Sequence, residues 1–92
     1  MFYALRFKLY AFVMLVEILT PKGIEYSGEA REIIVPSRAG QIAVLPRHVP
    51  LVSVLKPGKM KIITGKEPIE REIEGGILEV GKEKAVILLK KF

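Results

Sequence analysis

The chain of 92 residues is the size of one domain, and with half of its residues hydrophobic it can close a single core without staples. Cysteine is absent, which excludes disulfides and thiolate metal sites. The net charge of +5 comes from 15 Lys and Arg scattered among 10 Glu, the pattern of a solvated face and not the continuous basic run of a nucleic-acid footprint. Asp and Asn do not occur and Gln occurs once, a bias that points to a heat-adapted source.

Residues 1–13 stand apart in composition: Phe2, Tyr3, Phe7, Tyr10 and Phe12 crowd there, whereas the rest of the chain holds only Tyr26 and Phe92 as aromatics. The uncharged run 9–16 is far shorter than the roughly 20 residues of a spanning helix, and no small-residue cleavage site comes after it before Glu17. Residues 1–13 therefore read as an extension, either an edge segment or membrane-surface anchor, or the product of a start placed too early. The second reading is favoured, with the natural chain opening at Met14 and the domain covering 14–92.

From Met14 onward the pattern predicts strands. They fall at 15–19, 24–26, 30–35, 42–45, 49–55, 59–64, 69–73, 76–80 and 84–89, with stops at Pro21–Gly23, Ser27–Gly28, Pro36, Pro57–Gly58 and Gly81–Glu83. Alternation, as with Met60 and Ile62 against Lys59 and Lys61, marks sheets with one buried face and one wet face. In this part no window of eleven or more residues keeps a helical period free of Gly or Pro. The expected fold is all-β: a flattened sandwich or barrel of about 8–10 short strands in two sheets, without a long helix.

Residues 40–58 (GQIAVLPRHVPLVSVLKPG) organise the rest. Gly40, Pro46, Pro50, Pro57 and Gly58 punctuate two apolar runs, and their restricted or permissive backbones call for two strands joined by a stiff connection carrying Arg47 and the only histidine, His48. Gly75 and Gly76 read as a place where two backbones approach closely. Chemistry is scarce. One histidine without cysteine or aspartate cannot assemble a metal site, no phosphate-binding glycine loop occurs, and Ser27, Ser37 and Ser53 lack the strained turn of a nucleophile paired with His48. No catalytic residue, metal or cofactor is expected, and the remaining role is contact.

Three segments carry a resemblance: residues 16–28 (VEILTPKGIEYSG), 40–58, and 75–89 (GGILEVGKEKAVILL). They are similar, in one colinear register, to the amino-terminal β-sandwich of the epsilon subunit of bacterial F-type ATP synthases, the delta subunit of mitochondria. The spaced pattern is met at Gly40, Leu45, Pro46, His48, Pro50, Leu51, Leu55, Pro57, Gly58, Gly75, Gly76, Glu79 and Val80. The resemblance implies a non-catalytic rotor subunit that couples a membrane ring to the catalytic head, peripheral on the cytoplasmic face of a bacterial membrane and held there through the complex. It implies gamma-subunit contacts at Thr20 and His48 and contacts with the c-ring at Arg38, Gln41 and Arg47, with no nucleic acid bound. The departures are Gln41 where the family has an acidic residue, Ala43 for a glycine, and Arg47 where Gly or Asn is usual. The family's C-terminal helical hairpin has no counterpart before Phe92. Two readings from other classes stand beside it: a freestanding basic β-barrel binding nucleic acid or an acidic protein, and a membrane-surface protein anchored through residues 1–13.

Overall fold

Apolar side chains at every second position force an extended chain to bury one face, and the computed structural model, which describes residues 13–92, is built this way in most of its strands. In β1 (Met14–Thr20), Met14, Val16 and Ile18 are buried while Leu15 is exposed and Glu17 half-buried. The same alternation runs through β2 (Gly23–Ala30) from Glu25 onward, and through β3 (Glu32–Ser37), β4 (Gly40–Val44) and β5 (Leu51–Leu55). It continues in β6 (Gly58–Ile63), β8 (Gly76–Val80) and β9 (Lys84–Leu89), while the edge strand β7 (Ile69–Ile73) is exposed from Glu70 to Glu72. No helix occurs among the described residues. The reading of 1–13 as an extension lies, apart from Val13, outside them.

The strands follow the order β2-β1-β9-β8-β5-β3-β6-β7, with β4 on the free edge of β3. All pairings are antiparallel except β1 with β9. The sandwich is thus one curled sheet with two layers, β2-β1-β9-β8-β5 and β4-β3-β6-β7, joined where Ser37 pairs with Leu55. β5 and β6 occupy the same edge of β3 in succession: Arg38 N donates to Val54 O at 3.3 Å and Lys56 N to Pro36 O at 3.0 Å, whereas farther along Ile34 pairs with Lys61. The register jumps between the two, and Lys56, Pro57 and Gly58 absorb the jump as the chain turns from one layer into the other. A Cβ at Gly58 would meet Pro36 at 3.0 Å, so the corner is closed by backbone on proline.

Both inner faces feed one core, whose largest fully buried members are Ile18, Ile33, Met60, Ile62, Leu78 and Ile87. Dense aliphatic packing of this kind resists compression. Gly76 makes the closest approach, since a Cβ there would collide with the Leu88 carbonyl oxygen and stand 2.8 Å from Leu89 Cδ2. Its neighbour Gly75 holds φ +123° with Leu55 O at 3.2 Å from the Cβ position. The two glycines serve the backbone contact expected of them.

Several boundaries differ from the expected ones. Pro36 does not stop β3, which runs on to Ser37 with Pro36 opposite Gln41, and β4 and β6 each begin one or two residues early, at Gly40 and Gly58. Ser27 and Gly28 do not stop β2: both stay in the ladder, opposite Glu17 and Val16, and the Tyr26 ring folds over Gly28, filling the place of the missing side chain. β2 therefore runs on through Ala30, which pairs with Met14, and β3 begins at Glu32. β5 begins at Leu51 and not at residue 49, because Pro50 has no N–H for a ladder.

Candidate functional site

β4 runs back along β3 from Gly40, opposite Ser37, to Val44, opposite Ile33, so the segments flanking β4 lie at opposite ends of that strand, separated by about 17 Å. At one end is the β3–β4 turn. The buried Ser37 hydroxyl donates to Gly40 O at 2.6 Å and accepts from Ala39 N at 3.1 Å, which shapes the turn and holds Arg38 and Gln41 outward, both exposed. Gly40 closes it at φ +115° with open space around it.

At the other end is the loop 45–50. His48 N donates to Leu45 O at 3.1 Å, and the His48 ring Nδ1 lies 2.7 Å from Val49 O, donating in the tautomer that protonates it. Between two prolines, Arg47 sits at φ +68°, the one non-glycine residue with positive φ among those described. Arg47, Leu45 and Val49 are exposed, and His48 is half-buried between them. The result is a stiff apolar knuckle with one fixed charge. Leu51 opposite Val80 seats it beside the β8–β9 turn.

The structure thus regroups the residues named from the sequence. Arg38 and Gln41 stay together, but Arg47 lies with His48 at the far end. Thr20 belongs to the Arg38 end, because Leu19 continues through Leu88 and Ile77 to Val54, the partner of Arg38. Its hydroxyl is already engaged: it donates to Glu25 Oε2 at 2.8 Å and accepts from Lys22 N at 3.1 Å. Ser37 and His48 stand at opposite ends of β4, which keeps that serine from the histidine. The five structural positions Gly40, Pro46, Pro50, Pro57 and Gly58 fall at turns or at the corner, as their backbones require.

The sequence reading missed an aliphatic row on the outer face. Val54, Ile77, Leu88, Leu19 and Ile24 are consecutive partners on β5, β8, β9, β1 and β2. The signal was present in the segments LVSVL and KAVILL, which are apolar at both parities and so cannot hide every side chain in one core.

Over residues 13–92 the chain matches the family described as the ATP synthase Delta/Epsilon chain, beta-sandwich domain. The chain belongs to this family. Among relatives of the epsilon-type domain, the ATP synthase epsilon chain of Brevibacillus brevis is 38% identical over 76 residues, covering 82% of this chain and 58% of its own. That of Acidithiobacillus ferridurans is 36% identical over 73 residues, covering 79% and 52%. The domain thus spans about half the length of the curated relatives it matches. In solved structures the same fold recurs in a chain of the Euglena gracilis mitochondrial ATP synthase, with TM-score 0.80, 18% identity, and coverage of 87% of this chain and 52% of that one. It recurs again in the Tetrahymena thermophila mitochondrial ATP synthase central stalk/c-ring, with TM-score 0.70, 20% identity, and coverage of 83% and 62%. The freestanding nucleic-acid reading gains nothing from these relatives. Among the described residues Tyr26 and Phe92 are the only aromatics and both are half-buried, so no stacking platform is present.

Proposed function

We propose that this epsilon-family domain is a non-catalytic central-stalk element of a proton- or sodium-translocating F-type ATP synthase, coupling rotation of the membrane ring to the catalytic head. The observation that supports it is family membership across nearly the whole chain. The geometry suits the role: a rotor element must be stiff and held at more than one place, and this curled sheet offers a contact loop at either end of a dense core. In this reading Arg38 and Gln41 rest on the c-ring, and His48 with the knuckle around it meets the gamma subunit. Arg47, assigned from sequence to the ring side, shares the loop of His48 and is reassigned to the gamma side. Thr20 acts by closing the β1–β2 turn. The domain works at the cytoplasmic face of a bacterial membrane, attached through the complex.

The test is co-purification of the chain with the gamma subunit of the same source in low and high salt. A one-to-one complex that survives high salt is expected. A folded β-domain that binds in neither condition would overturn the assignment.

A further inference from the structure

Leu45 to His48 form a four-residue β-turn, closed by His48 N donating to Leu45 O at 3.1 Å, with Pro46 in second place and a positive φ in third. That is the form of a type II turn, whose third place goes to glycine or asparagine because a Cβ there is strained. Arg47 occupies it at φ +68°. Nothing inside the domain offsets the strain. Among the described residues the exposed Arg47 guanidinium has no hydrogen-bond acceptor, no carboxylate and no aromatic ring, whereas Arg71 has the Glu70 carbonyl at 3.0 Å and the Phe92 ring at 4.9 Å. Backbone strain held at one residue with no compensating contact nearby marks a side chain that acts on something else.

The surroundings describe what it meets. Leu45 is 55% exposed and Val49 70% exposed, so two aliphatic side chains flank the guanidinium and are covered along with it by any partner. Pro46, Pro50 and the His48 ring, with Nδ1 2.7 Å from Val49 O, stiffen the loop, which leaves little backbone to order on binding. The charge is single. Leu51 opposite Val80 brings the β8–β9 turn beside the loop, and the Lys82 and Glu83 charges there cancel. A lipid surface or a nucleic acid calls for a cluster of cations instead. One planar guanidinium between aliphatic neighbours suits one carboxylate in a dry recess, because it grips both oxygens and is weakly hydrated to begin with.

We propose that Arg47 is a specificity residue: its guanidinium pairs with a carboxylate of the gamma subunit, set in an apolar recess that takes Leu45 and Val49. The inference rests on the assignment of this loop to the gamma side and adds the chemistry of the contact.

The experiment titrates the full chain and its Arg47→Gly, Arg47→Asn and Arg47→Lys variants with the gamma subunit of the same source by calorimetry in low and high salt, beside urea unfolding of each chain alone. Arg47→Gly and Arg47→Asn keep or raise the urea midpoint, because both residues accept the turn, yet bind about tenfold more weakly in low salt. The gap narrows as salt screens the pair. Arg47→Lys, which keeps the charge but loses the planar grip, falls between. Glycine and asparagine variants that bind as tightly as the unsubstituted chain overturn the inference and leave the rotor reading standing, whereas an unsubstituted chain that binds no gamma subunit overturns both. A lower midpoint in both variants also overturns the inference, since the guanidinium would then be a contact within the domain.

Discussion

Arg47 holds a backbone conformation that costs a residue with a Cβ roughly 1–2 kcal/mol. Glycine there removes the cost but brings extra freedom to the unfolded chain, which returns part of it. Arg47→Gly is expected to stabilise the domain by about 0.5–1 kcal/mol, read as a higher urea midpoint at unchanged slope. A lower midpoint would mean that the guanidinium makes a contact worth more than the strain. Glycine substitutions elsewhere go the other way and separate two causes. Gly40→Ala meets open space and bears only its positive φ, about 1–2 kcal/mol, whereas Gly76→Ala drives a methyl into the Leu88 carbonyl and should cost on the order of 3 kcal/mol or more. Equal losses at the two positions would refute the close approach. The glycines were legible as punctuation. Arg47 was legible only as a departure from the family pattern, because side-chain identity does not reveal φ where a residue is forced against its preference.

Ser37 closes the β3–β4 hairpin with two hydrogen bonds, and its hydroxyl is the one buried polar side chain among the described residues. Ser37→Ala leaves Gly40 O and Ala39 N without that partner and is expected to cost about 1–3 kcal/mol, with faster amide exchange confined to the turn. Uniformly faster exchange would show instead that the hairpin and core open as one. Thr20 makes a comparable turn at the β1–β2 hairpin, so Thr20→Val should lower stability by about 1 kcal/mol and leave partner affinity unchanged. Weakened gamma binding at unchanged stability would restore Thr20 as a contact residue. At this scale, alternation placed most strands within a residue or two. It failed at β2, where Ser27 and Gly28 carry turn chemistry but Tyr26 supplies the missing packing, and pairing with β1 prevails over local preference.

Across the whole molecule, what the sequence could not convey was which contact residues share an end. Arg38 and Arg47 are nine positions apart and read as one loop cluster, yet the strand between them carries them to opposite poles. If the domain bridges two partners, Arg38→Glu should alter association with the ring several-fold while leaving the gamma complex intact, and His48→Ala should do the reverse. Each is read by co-purification with the separate partner, and loss of both contacts from one substitution would contradict the two-pole arrangement. The parallel pairing of β1 with β9 carries a different implication, one about time. β1 has β2 on one side at once, but its other edge, along Leu15 to Leu19, waits for residues 84–88. On the ribosome the β1–β2 hairpin emerges with its apolar face and one ladder unsatisfied until the last described strand, β9, is made, so the core closes late. Folding dominated by so distant a contact is slow, and for that interval the bare edge of β1 is where a nascent chain would first go astray.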